Sequence, residues 1–143
     1  MTFKRPMWTG VYPAATTQFT PDGSVDIDAT QRVLTNLVDD GVSGLILLGT
    51  CGENNSLEPE EKRAVLRAGV EAVGGRVPLV TGVSEFTTER AASYARDAED
   101  IGLDALMVLP AMVYVPTNEE LGAHFRTVAQ ATGLPIMLYN NPP

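Results

Sequence analysis

The stretch Leu45-Ile46-Leu47-Leu48-Gly49-Thr50-Cys51-Gly52-Glu53 decides the fold. Four consecutive aliphatic residues leave no polar face, so the strand they form is covered on both sides, as the strands of parallel sheets are. The polar run that follows sits at the strand's carboxyl end. There a parallel α/β sheet opens into loops and helix N-termini with unpaired N–H groups, and there it binds ligands. The same arrangement recurs downstream, where the apolar Ile136-Met137-Leu138 leads into Tyr139-Asn140-Asn141-Pro142.

Outward from these two segments, five strand candidates at 11–16, 44–48, 77–81, 105–109 and 134–139 alternate with helices. The first helix, 26–40, lines up Val33, Leu34, Leu37 and Val38 and stops at Gly41, a residue suited to the left-handed C-terminal position. The second starts at Pro59 with Glu60 and Glu61 beside it, favourable at the positive end of the helix dipole, and turns Val65, Ala68, Ala72 and Val73 inward. The third, 87–101, presents Ala91, Tyr94, Ala95 and Ala98 as a small-residue face and ends at Gly102. The fourth opens on the capping box Thr117-Asn118-Glu119-Glu120 and closes at Gly133. Strand starts recur about every 30 residues, one strand plus one helix per unit. The pattern is (βα)4β5 in a single domain, 1–143, and it suits either a barrel or an open doubly wound sheet.

Composition narrows the function classes. At 143 residues and 44% hydrophobic the chain can bury a sizeable core, and a net charge of −8 with scattered Lys and Arg argues against a nucleic-acid backbone or an anionic membrane surface as partner. One cysteine and one histidine support neither a disulfide framework nor a metal site, and no apolar run is long enough to cross a bilayer, so a reducing cytoplasm is expected.

Neither G-x-G-x-x-G nor G-x-x-x-x-G-K-[ST] occurs, so Gly49 to Glu53 is not a phosphate loop; alone it reads equally as a tight turn with Glu53 capping a neighbour. The functional reading comes from the set: Thr16-Thr17, Thr50-Cys51, Glu53, Ser84, Glu85 and Tyr139 all follow strand candidates. Hydroxyls and turn N–H groups grip the oxygens of a small carboxylate, and a tyrosine passes protons when its neighbours lower its pKa.

These segments resemble the dihydrodipicolinate synthase and N-acetylneuraminate lyase family of pyruvate-dependent class I aldolases, over essentially the whole chain. Residues 10–19 resemble the family's first strand and turn, Gly49-Thr50-Cys51-Gly52-Glu53 its Gly-[Thr/Ser]-Thr-Gly-Glu signature, and Tyr139-Asn140-Asn141-Pro142 its Tyr-Asn-x-Pro signature. The resemblance implies a (β/α)8 TIM barrel of about 250 residues, of which this chain is the N-terminal part. It further implies a homo-oligomer, dimer or tetramer, a 2-oxo acid substrate held as a lysine Schiff base, and no cofactor.

Carried over, Thr50 belongs to the carboxylate pocket and proton relay, Tyr139 is the relay tyrosine, and Thr16, Gly49, Cys51, Gly52 and Glu53 bind substrate. Cys51 departs from the family's threonine, and a thiol donates hydrogen bonds less well than a hydroxyl, so Thr50 and the turn amides carry more of the carboxylate binding. Tyr114, displaced in register, is the candidate for the tyrosine pair after the fourth strand. Asn54, Asn55 and Pro143 point to a side branch that handles another 2-oxo acid, such as a sugar-acid or hydroxyproline-pathway dehydratase or deaminase. A non-catalytic half-barrel that needs a partner chain, and an open flavodoxin-like binding domain, are the readings from other classes.

Only two lysines are present. Lys4 lies in the N-terminal arm and Lys62 in an acidic helix read as exposed, so neither fits a desolvated nucleophile, and the family's lysine lies on a later strand. The remaining expectations are structural: His124 at the surface or an interface, Phe3 and Trp8 over the barrel floor, Met107 and Met112 in packing.

Overall fold

A computed structural model describes residues 8–110 and 113–140. Phe3, Lys4, Met112, Asn141, Pro142 and Pro143 lie outside the described residues. The described chain runs α1 (Ile27–Asp39), β1 (Leu45–Leu47), α2 (Pro59–Val73), β2 (Leu79–Val83), α3 (Thr88–Ile101), β3 (Ala105–Val108), α4 (Asn118–Gln130) and β4 (Ile136–Leu138), with two 3₁₀ turns, Thr50–Gly52 and Asn54–Ser56, between β1 and α2.

The helices begin where their caps are. Asp26 accepts from the Ala29 N–H at 2.8 Å to start α1. Glu58 and Glu61 form a capping box around Pro59 at the start of α2. Thr87 caps α3, and Thr117 with Glu120 caps α4 reciprocally. Each such cap satisfies N–H groups that have no partner inside the helix. α3 ends at Gly102, whose φ of 102° an L side chain rarely adopts. α4 stops at Gln130, three residues before Gly133, because Ala131 already closes it with an N–H bond to the Val128 carbonyl.

All strand pairs are parallel and the order is sequential, β1-β2-β3-β4. The first strand candidate, 11–16, is not a full strand: it makes one parallel bridge, Ala14 with Ile46, flanked by Ala15 N–H to Ile46 O at 2.9 Å and Ile46 N–H to Pro13 O at 3.0 Å. Pro13 has no N–H, so no regular ladder continues past it, although the Ser43 N–H still bonds Val11 O at 2.9 Å. Pro78 likewise gives only its carbonyl, to the Leu45 N–H at 3.0 Å, and β2 runs two residues further than the apolar run indicated.

Alternation along the strands separates two faces. Leu45, Leu47, Leu79, Val83, Leu106 and Val108 pack with Leu34, Leu66, Ala95 and Val128 of the four helices. The opposite face gathers Ile46, Val80, Ala105, Met107, Leu109 and Met137, with Trp8 and Tyr12 against them. Helices on one face only, with strands in sequential order, make a barrel wall. A doubly wound sheet has helices on both faces and reverses its strand order, so the flavodoxin-like alternative is excluded. The architecture is about half of a (β/α)8 TIM barrel, and among the described residues β4 has no partner on its far side.

Candidate active site

In a parallel sheet all carboxyl ends lie on one rim, so the segment after β1 and the residue after β4 share it. Thr50 stands three residues past the end of β1 and Tyr139 directly follows β4, with β2 and β3 between them. Three inter-strand steps make roughly 14 Å along the sheet. Tyr139 has the parity of Met137, so it belongs to the inner face; it is 39% exposed and its N–H bonds the Val108 carbonyl at 2.9 Å.

The segment 49–56 folds into two tight turns. The N–H groups of Gly52 and Glu53 return to the carbonyls of Gly49 and Thr50 at 3.0 and 3.1 Å, and Asn54 N–H reaches Gly49 O at 3.4 Å. Thr50 and Cys51 open the first turn and are exposed, while Gly49 and Gly52 are buried beneath them. Glu53 sits at a left-handed φ of 62° and accepts from the Ser56 hydroxyl at 2.9 Å.

Three anchors fix this loop. The Thr17 hydroxyl donates to Gly52 O at 2.7 Å. Gly82 lacks the side chain that would meet Leu48 O, which lies 2.3 Å from where a Cβ would stand. Asn54, 1% exposed, donates its Nδ2 to Gly82 O at 3.2 Å and accepts from Lys62 Nζ at 3.1 Å.

Lys62 therefore corrects the sequence reading. It is 6% exposed and ion-paired to Glu85 Oε1 at 2.6 Å, with the ring of Tyr94 centred 5.8 Å from its Nζ. The partners stand on the turn after β1, the segment after β2 and α3, on the helix-facing side of the sheet. Burial pushes the Tyr94 phenol well above its ordinary range, opposed by its 2.7 Å hydrogen bond with Thr81. With both charges shielded from water, removing one partner costs about 3–5 kcal/mol because the other is left buried and unpaired. Lys62 stands at the fourth position of α2, where the helix dipole disfavours a cation, and that was the available signal that it needs a carboxylate.

Of the hydroxyl and carboxylate set read from the sequence, Thr50, Cys51, Glu53 and Thr16 are exposed at the rim, with Thr16 accepting from Gln18 Nε2 at 2.8 Å. Thr17 and Glu85 are committed internally. Tyr114 is 53% exposed on the segment between β3 and α4.

His124 is also corrected: it is 5% exposed, not a surface group. Its Nε2 faces Leu109 O at 3.1 Å, which can only accept, so Nε2 carries the proton and Nδ1 accepts from the Thr88 hydroxyl at 3.0 Å. Burial lowers its pKa below the ordinary 6.5, against the Leu109 hydrogen bond, which raises it. With the folded value below the unfolded one, the unfolded chain takes up the proton first. The contribution to stability is full above pH 6.5 and declines on acidification toward the folded value. Urea midpoints at pH 7.5 and 5.5 are expected to differ more for the wild type than for His124→Asn; equal differences would contradict this account.

Among the described residues no helix is long and apolar enough to cross a membrane. Residues 7–143 match the model of the dihydrodipicolinate synthetase family. The chain is 40% identical over 135 residues to the 4-hydroxy-tetrahydrodipicolinate synthase of Moorella thermoacetica, covering 94% of this chain and 46% of that protein. It superposes with a TM-score of 0.92 and 32% identity on YagE of E. coli, a dihydrodipicolinic acid synthase family protein solved in complex with pyruvate, covering 96% of this chain and 46% of that one. N-acetylneuraminate lyase from Mycoplasma synoviae gives a TM-score of 0.88 at 28% identity, with 93% and 46% covered. The chain thus spans about half the length of the relatives it matches.

Proposed function

The chain belongs to the dihydrodipicolinate synthetase family, and from that premise we propose that the protein containing it is a Schiff-base-forming lyase or synthase acting on pyruvate or a related 2-oxo acid. One observation carries the reading: Thr50 and Tyr139, from two separate motifs, share the carboxyl rim of one parallel sheet. In this reading the turn at 49–53 holds the substrate carboxylate through the Thr50 hydroxyl and the amides at the start of its 3₁₀ turn. Tyr139, with Thr50, passes protons to and from the carbon next to the imine. Thr16 borders the same rim.

A lysine imine of a 2-oxo acid is an electron sink for carbon–carbon cleavage or condensation and for loss of water. Lys62 is not assigned as that lysine, since its amine is occupied by Glu85 and Asn54 on the helix side of the sheet. The nucleophile is assigned to the remainder of a protein about twice this length. Dihydrodipicolinate synthase-like condensation is the leading reaction, and dehydration or deamination of another 2-oxo acid is the alternative within the family. The same reading places the protein in the cytoplasm as a homo-oligomer with Tyr114 near the contact between protomers, and needs no cofactor.

Incubating the full-length protein with pyruvate and borohydride is expected to add one reduced pyruvate per chain, on a lysine other than Lys62, as read by peptide mass mapping. Absence of any adduct would end the assignment. A second reading rests on β4, whose outer residue Leu138 is 61% exposed: the half-barrel is a non-catalytic piece that closes against a companion chain. In that case no adduct forms and a stable hetero-complex is isolated.

A further inference from the structure

We propose that Lys62 is a positioning residue for the carboxylate-binding turn: through Asn54 and Glu85 its ammonium ties that turn to the end of β2. The inference rests on the functional reading of the turn given above, and its geometric basis is the bonding of Lys62 to Asn54 and Glu85.

The turn itself is held by short-range backbone bonds, which fix its shape but not its place on the rim. Its placement comes from Thr17 on one side and Asn54 on the other. Asn54 directly follows Glu53, closes onto Gly49 O, and is oriented by two bonds at once, donating to Gly82 O and accepting from Lys62 Nζ. An amide side chain carries an acceptor oxygen at one end and a donor nitrogen at the other, so its partners decide which way it faces. Lys62 is one such partner, because an ammonium only donates and therefore selects the oxygen. The nitrogen is then directed at Gly82.

Glu85 fixes the ammonium in turn. It approaches at 2.6 Å from the segment after β2, and Tyr94 stands over the same Nζ with its own hydroxyl bound to Thr81 of β2. The strut therefore runs from α2 to the segment after β2 and ends on the backbone that opens into Thr50. Charge is needed at its centre. A neutral side chain of equal length would leave the Asn54 amide held by its Gly82 bond alone, with its buried oxygen and Glu85 unpaired, loosening the N–H groups that face a substrate carboxylate.

The test uses the full-length protein carrying Lys62→Met or Lys62→Arg, with Arg76→Ala as a control that removes an ion pair to Asp39 far from the rim. Hydrogen exchange at the Glu53, Asn54 and Ser56 amides is expected to accelerate tenfold or more in K62M, to recover partly in K62R, and to stay at the wild-type rate in the control. KM for pyruvate should rise at least tenfold in K62M while kcat changes less than threefold. A folded K62M with wild-type exchange and KM overturns the proposal. Acceleration spread evenly over all the helices also overturns it, since that marks general destabilisation. If K62M does not fold, the double variant Lys62→Met/Glu85→Leu removes both charges and the same three amides decide: fast exchange supports the strut and wild-type exchange refutes it. Should the wild type form no pyruvate adduct, the functional reading fails, and the exchange measurement still decides the strut.

Discussion

Replacing Gly82 by alanine is expected to destabilise the protein by about 3 kcal/mol, seen as a lower urea midpoint at unchanged slope. The new Cβ would stand 2.3 Å from Leu48 O, 2.9 Å from Leu48 C and 3.0 Å from Gly49 Cα, and all three are backbone atoms that no rotamer change can move aside. Leu48 has no slack either, because it already holds a left-handed φ of 48°. Relief can come only by pushing β1 and its turn away from β2. That would stretch the Asn54 bond to Gly82 O and displace Thr50, so rim chemistry is expected to fall with stability. Gly122→Ala is the matched control. Its Cβ would meet the tip of Arg126, a flexible side chain, and alanine favours the interior of α4 by roughly 1 kcal/mol over glycine. Equal stability for Gly82→Ala and wild type would refute the close approach of β1 and β2.

Tyr139→Phe in the full-length protein is expected to lower kcat by about 10²- to 10³-fold, the range typical of losing a positioned acid–base group. The substitution removes one oxygen from a side chain already 39% exposed, so the fold should be untouched. Borohydride trapping separates the steps: the variant should still reach the wild-type adduct at long incubation, because the imine forms on a lysine elsewhere. An unchanged kcat would remove Tyr139 from the chemistry. A lost adduct with normal stability would instead place it in imine formation.

Much of this was legible in the chain because local rules and tertiary structure agree. Every helix starts within a residue of its cap, the apolar run at 105–109 became β3 less one residue, and the run at 44–48 holds the shorter β1. The shortfalls have identifiable causes. At 11–16 a proline broke a ladder that the apolar pattern favoured. Lys62 and His124 stand at helical spacing from the buried Val65, Leu66 and Gly69 of α2 and Val128 of α4, so periodicity marked their faces as inward, but their polar side chains argued for solvent and their partners Glu85 and Leu109 are 23 and 15 residues away. Gly82 carried a readable signal, an isolated glycine inside an apolar run, which marks a close backbone approach.

The sequential strand order has a further consequence, for how the chain reaches this state. Each strand adds beside the one made just before it, so closing each new contact confines only a single strand–helix–strand loop, and the entropy of that closure grows slowly with length. Assembly can proceed vectorially, one repeat docking on the last, without waiting for distant segments. Each closure still spans a whole strand–helix unit, as between Leu45 and Leu79, and parallel pairing of this kind forms more slowly than the local contacts of a helix bundle.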